Sequence, residues 1–258
     1  LPCSVQTALL AFDSFEGAAE LLRKLRAGLA GTLSSFEIMW RDFFDFNTGE
    51  HGVGTAPLAR GHRYYVLCEA EGFEPATDHQ RFEALMADAF EAGSARDALI
   101  AQSERQRRDF WNIRENFDAE MRAFGTLIDY DVSFPMEAME PFAEELRHEL
   151  QAKVPENRGL HILGHLGDGN LHVSTGADPS LKPAIDDLVY GLIAAYGGAI
   201  SAEHGVGLTK KSYLRLSRTD EEIALMRSLK AVLDPRNILN PGKIFDPRAP
   251  SSHGPVTR

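Results

Sequence analysis

The sequence predicts an α+β fold built on a largely antiparallel sheet, and three observations lead there. Helical and strand-like segments alternate along the chain, yet no helical segment is apolar all round. Several strand-like segments alternate polar with apolar residues, the pattern of a sheet with one face toward solvent. No period of about 20–50 residues recurs, which sets aside repeat arrays.

Residues 8–12 (ALLAF) read as a strand, 15–29 as an amphipathic helix and 34–40 as an alternating strand. A glycine-rich loop over 47–61 precedes RYYVLCEAEG, a strand of aromatic and aliphatic residues. A helix over 77–92 follows, with Thr77 or Asp78 placed to cap it. Then come a short strand at 98–101, a charged helix over 103–124 and a strand at 126–133 that Pro135 stops. A helix over 135–152 leads to two strands, 160–165 and 171–175, on either side of GDGN. Helices at 179–196 and 220–233 flank a short strand at 199–201. Residues 1–246 are therefore expected to form one domain, with 247–258 a disordered tail.

Composition narrows the function. A chain of 258 residues that is 43% hydrophobic can bury a core without disulfide or metal staples. The two cysteines, Cys3 and Cys68, make neither a disulfide framework nor a thiolate metal site, which favours a reducing compartment, by default the cytoplasm. No apolar run reaches the length of about 18 residues that a membrane span needs, and no signal-peptide pattern opens the chain. A formal charge of -11, without a basic stripe, argues against nucleic acid as a partner. The chain opens Leu1-Pro2 without methionine, as a processed product or a piece of something longer would.

The pentapeptide EHGVG occurs at 50–54 and again at 203–207, with unrelated flanks that argue against internal duplication. The first copy follows FNTG and runs into Pro57, and reads as an ordinary or lid-like loop. The second follows a helix ending at Gly197-Gly198 and a short strand, so it sits at a strand end, where scaffolds carry reactive groups. Upstream, GHLGDGNLH sets His165 and His172 on either side of a Gly167–Asn170 turn, so that a tight hairpin lets two imidazoles converge. Two neutral imidazoles and one carboxylate make an open site for zinc, iron, cobalt or manganese, and Glu203 is the natural third ligand. Neighbouring side chains on a strand point to opposite faces, so Glu203 and His204 share a site only where the backbone leaves the strand. Gly205 and Gly207 permit that departure.

Plainer readings stand beside these. Hairpin histidines are often hydrogen-bonded core, and Asp168 can simply cap the turn. Arg114 in WNIRENFD is either a surface cation paired with Asp118 or, if buried, a bidentate grip on a carboxylate. Asp234-Pro235 and the Asn240-Pro241-Gly242-Lys243 run read as turn punctuation, with Lys243 free to face an anion.

The ordered set SSFEIMW, WNIRE, YDVSFP, GHLGDGNLH, SAEHGVG and LDPRNILNPGKI resembles the C-terminal lobe of FAD-linked 2-hydroxy-acid dehydrogenases. The similarity runs from about Val5 to Phe245, nearest to the D-2-hydroxyglutarate and D-lactate dehydrogenase branch of the vanillyl-alcohol-oxidase flavoprotein superfamily. The resemblance implies a ferredoxin-like cap lobe with a largely antiparallel sheet and flanking helices, lying over FAD held mainly by a separate N-terminal domain. It also implies that His165, His172 and Glu203 hold a divalent metal, zinc, and that His204 is the catalytic base. Arg114 and Ser174 fall at substrate-binding positions, and Asn240 and Lys243 near the flavin. Its implied partners are a small 2-hydroxy acid, the FAD domain, an electron acceptor of unstated identity and a second copy in a homodimer.

Three positions depart from the 2-hydroxyglutarate pattern, which has threonine, lysine and asparagine where Asp118, Asp129 and Ser174 stand. A second substrate carboxylate facing Asp118 and Asp129 is repelled, so either the substrate tail is polar or cationic, or these residues face solvent. The chain shows no glycine-rich phosphate cradle, so it is expected to be inactive without its flavin domain. Two rival readings remain: a non-catalytic ferredoxin-like lobe that binds a small acid or a partner, and a flavin-independent metallohydrolase in which His204 activates water.

Overall fold

The computed structural model describes residues 1–246; the tail expected to be disordered, 247–258, lies outside them. Its first half comprises β1 (Ser4–Phe12), α1 (Phe15–Gly28), β2 (Leu33–Trp40), α2 (Arg41–Thr48), β3 (Tyr64–Gly72), α3 (Pro75–Glu91) and β4 (Asp97–Ile100). Helices α4 (Glu104–Arg114) and α5 (Phe117–Phe124) lead to the second half. That half holds β5 (Leu127–Ser133), α6 (Met136–Lys153), β6 (Leu160–His165), β7 (Asn170–Gly176), α7 (Lys182–Ala195) and α8 (Asp220–Leu233).

All seven strands join one antiparallel sheet in the order β4-β1-β3-β2-β6-β7-β5. The run β4-β1-β3-β2, with α1 and α3 as crossovers, is the expected ferredoxin-like unit. The second half repeats the plan as β6-β7-β5, with α6 and α7 in the helical places. Its fourth strand, expected at 199–201, is reduced to a single bridge between Ser133 and Ala199. The two EHGVG copies occupy non-equivalent places in the two units, one before β3 and one after α7.

Alternation along the strands sorts side chains onto two faces. Leu10, Phe12, Val66, Ile162 and Val173 point to one face and pack beneath α1, α3, α6 and α7 as the main core. The opposite face differs from expectation, because it is not simply solvated. Leu9, Met39, Leu67 and Leu163 form a second cluster there with Phe43 and Phe44 of α2 and Phe110 and Ile113 of α4. The polar residues of this second face gather beyond that cluster, and they build the site.

Three local differences have physical causes. Helix α2 was not foreseen: RDFFDFNT is rich in poor helix formers and has no side-chain N-cap, so only burial of Phe43 and Phe44 recommends it. Helix α3 starts at Pro75, whose fixed φ suits the first turn, and Asp78 accepts the Glu74 N–H instead of capping its own helix. The helix expected over 103–124 breaks after Arg114, where the chain turns that side chain inward and restarts at Phe117.

Candidate functional site

Glu37 on β2, His165 on β6, His172 on β7 and Asp131 on β5 project from one face of the sheet, because His172 pairs with Leu163, two residues before His165 on the same strand. Register fixes their spacing: Glu37 lies opposite His165, and Asp131 opposite His172. The β6–β7 hairpin turns through a short 3-10 segment, Leu166–Asp168, and then Gly169 at φ 73. A Cβ at Gly169 would stand 2.5 Å from the Phe134 carbonyl oxygen, so only glycine lets the hairpin close against β5.

The hairpin brings the two imidazoles together as expected, with Nε2 of His172 3.4 Å from Nε2 of His165. Glu203 Oε1 lies 3.4 Å from the same His165 nitrogen, and one ligand atom from each residue falls within 4.8 Å of the others. Donors about 2.1 Å from a tetrahedral ion stand about 3.4 Å apart, so the spacing fits a first-row divalent cation, zinc included. The tautomer fits too. Nδ1 of His165 is engaged at 2.7 Å with Glu37 Oε1, which turns Nε2 toward the other two donors.

Electrostatics reinforce this geometry. The hydrogen bond to Glu37 raises the His165 pKa, more than burial lowers it. Burial depresses His172, helped by the positive charges of Arg114 and His165, so it is held as a neutral donor. Burial pushes Glu37 upward, but His165 and Arg114 outweigh it and keep this carboxylate ionised below its usual range.

Arg114 is buried, at 6% exposure, and its partner is Glu37 rather than Asp118: Nε donates to Glu37 Oε2 at 2.9 Å. Among the described residues no protein acceptor takes its two terminal amino groups. Arg114 lines a cavity of about 530 Å³ together with Glu37, His165, Trp111 and Arg26. A parallel anchor holds the helix that carries Arg114, because Glu69 on β3 accepts from Arg107, Trp111 and Thr7.

Ser201 to His204 leave the sheet after the Ala199 bridge, and Gly205 and Gly207 take positive φ, the departure from the strand that two adjacent side chains need if they are to share a site. Asn170 Nδ2 donates to Glu203 Oε1 at 2.5 Å. His204 is 59% exposed, with Nδ1 3.9 Å from Asp131 Oδ2 and its ring 6.3 Å from that of His172.

The remaining expected residues sit apart. Ser174 is buried, and its hydroxyl meets both oxygens of Glu120 at 3.3 Å, while His161 Nδ1 contacts Glu120 Oε1 at 2.5 Å. Asn240 and Lys243 are exposed in the C-terminal turn, which is tied back where Ile244 N–H donates to Gly207 O. Asp118 and Asp129 are both exposed; Asp129 pairs with Ser174 across the β5–β7 ladder.

In the first EHGVG copy, Glu50 is 90% exposed and His51 stacks on Phe46 at 5.4 Å, and neither belongs to a ligand cluster among the described residues. His51→Ala should therefore leave metal content unchanged while His172→Ala removes it, as elemental analysis of the two variants would reveal. Equal loss in both would make the first copy part of the site.

Glu37, Asp131, Asn170 and Lys210 complete this site and were not singled out from sequence. The signal for Glu37 was a carboxylate inside FEIMW, a strand otherwise apolar; Asp131 sits likewise in YDVSF.

Comparison with known proteins agrees with this architecture. Residues 1–244 match the family model described as FAD linked oxidases, C-terminal domain. A D-2-hydroxyglutarate dehydrogenase of Xanthomonas citri pv. viticola is 38% identical over 92% of this chain and 51% of its own length. A mitochondrial D-2-hydroxyglutarate dehydrogenase of Arabidopsis thaliana is 32% identical over 94% of this chain and 43% of its own. The chain thus spans about half the length of these relatives. The crystal structure of p-cresol methylhydroxylase with substrate bound superposes with a TM-score of 0.62 at 14% identity, over 95% of this chain and 53% of that one, a likeness of fold alone.

Proposed function

The chain belongs to the family of FAD linked oxidases, C-terminal domain, and from that premise we propose that it is the substrate- and metal-binding portion of a flavin-dependent dehydrogenase. The reaction is oxidation of a D-2-hydroxy acid to the 2-oxo acid. The observation that carries this reading is the convergence of His165, His172 and Glu203 beside an exposed histidine and a buried arginine.

FAD, held mainly by a separate N-terminal domain, would supply the hydride acceptor when bound. His165, His172 and Glu203 would hold a divalent ion, zinc on the family resemblance, which would supply Lewis acidity toward the substrate hydroxyl. The protein's own residues do the rest. Arg114 presents its terminal amino groups to the substrate carboxylate, while Glu37 fixes the guanidinium through Nε. His204 takes the hydroxyl proton at Nε2, since its Nδ1 lies toward Asp131.

The exposed face of α8 supports a covering flavin domain. Leu225, Leu229, Val232 and Leu233 repeat at helical spacing and are 54–79% exposed, an apolar stripe that a larger protein would cover. Asn240 and Lys243 lie in the turn beyond it and would approach the flavin. The exposed Cys3 and the buried Cys68 are both free thiols, consistent with a reducing compartment such as the cytoplasm.

If the substrate tail reaches Ser174, the charge there favours a substrate without a second carboxylate. Glu120 and Asp129 flank Ser174, and Lys210 is engaged with the Asp131 carbonyl and Ser201. In the intact flavoprotein, kcat/KM for D-lactate should exceed that for D-2-hydroxyglutarate at least about tenfold, a gap of about 1.4 kcal/mol. Flavin bleaching with each acid measures it. A preference for D-2-hydroxyglutarate would overturn the substrate assignment, and no bleaching by any 2-hydroxy acid would overturn the dehydrogenase.

A further inference from the structure

We infer that Asp131 is the positioning residue of this site: its buried carboxylate gathers the 201–204 backbone and so aims Glu203 and His204 at the histidine pair. The inference rests on the metal-binding reading above. Asp131 is 1% exposed, and its Oδ2 accepts the backbone N–H groups of Ala202, Glu203 and His204 at 3.2, 2.9 and 2.9 Å. Ser201 Oγ approaches the same oxygen at 3.3 Å. Among the described residues these three N–H groups have no other acceptor, and the segment belongs to no helix or strand. Removing this carboxylate therefore removes what orders the loop.

The placement is set by register. Asp131 faces His172 directly across the β5–β7 ladder, so one cross-strand pair holds both a metal-site imidazole and the anchor of the loop that brings Glu203 to it. Lys210 closes the assembly from downstream, donating to the Asp131 carbonyl oxygen and to Ser201 Oγ, each at 3.0 Å. The loop is thus pinned at both ends to one residue.

A competing role is that of a ligand, since Asp131, Glu203 and His204 can also bring three donor atoms within 4.8 Å. The bonding argues otherwise. Oδ2, the oxygen nearest His204, already accepts three backbone N–H groups and has little capacity left for an ion. Asp131 acts through the backbone, and the metal count should stay at one ion per chain.

The test compares this chain with Asp131→Ala and Asp131→Asn, using Co²⁺ titration followed by its visible absorption and amide hydrogen exchange by NMR. In the alanine variant, exchange at 202–204 should quicken about 100-fold while β6–β7 amides stay protected, and Co²⁺ affinity should fall about 10–100-fold, as it does when a group that orients a metal ligand is lost. Asparagine keeps an acceptor and should restore much of the protection. If the alanine variant does not fold, the asparagine variant decides, with an expected loss of about tenfold in protection, because a neutral acceptor is weaker than a charged one. Unchanged exchange at 202–204 would overturn the inference, as would a fall from two bound ions to one. If the unmutated chain binds no Co²⁺, the metal reading fails, and the exchange measurement still decides the role of Asp131.

Discussion

In the intact flavoprotein, His204→Asn is expected to slow flavin reduction by a 2-hydroxy acid by about 10²- to 10⁴-fold, the usual worth of a positioned general base. His204 is the exposed histidine at the rim, on the same short loop as Glu203 and beside His172. Asparagine preserves size and polarity but takes no proton. Substrate affinity should change little, because Arg114 and the metal donors are untouched. Stopped-flow reduction with substrate in excess separates the two effects. A variant reduced at the parent rate would remove His204 from the chemistry.

Glu37→Ala should be the most damaging single change to the fold around the site. It leaves Arg114 buried at 6% exposure without its carboxylate, and a buried ion stripped of its partner costs about 3–5 kcal/mol. The same change frees His165 Nδ1 and lets the ring turn, so metal affinity should fall together with stability. Glu37→Gln keeps shape and one acceptor and should cost less on both counts. Denaturant unfolding and Co²⁺ titration of the two variants provide the comparison. A loss below about 1 kcal/mol in Glu37→Ala would mean that Arg114 finds water or another acceptor.

Much of this could be read from residue pattern, and particular elements explain what could not. Short apolar and aromatic runs placed β1 and β3, alternation placed β2, and turn residues placed the β6–β7 hairpin, each within a few residues. The His165–His172 pairing was legible because GDGN encodes a tight turn. The interruption at Glu115–Asn116 was not, since it depends on Arg114 finding Glu37, 77 positions earlier in the chain. Helix α2 escaped for a related reason: its stability comes from a core formed by distant strands. Glu37 and Asp131 were hidden in plain strands, and their roles emerge only when the ladder sets them opposite His165 and His172.

The central claim is that His165, His172 and Glu203 hold one divalent ion together. X-ray absorption on the chain loaded with one equivalent of Zn²⁺ tests it most directly. The account predicts a first shell with two imidazole nitrogens and at least one oxygen at about 2.0–2.2 Å, losing one imidazole in His172→Ala. A shell with no imidazole, or one unchanged in that variant, would contradict it.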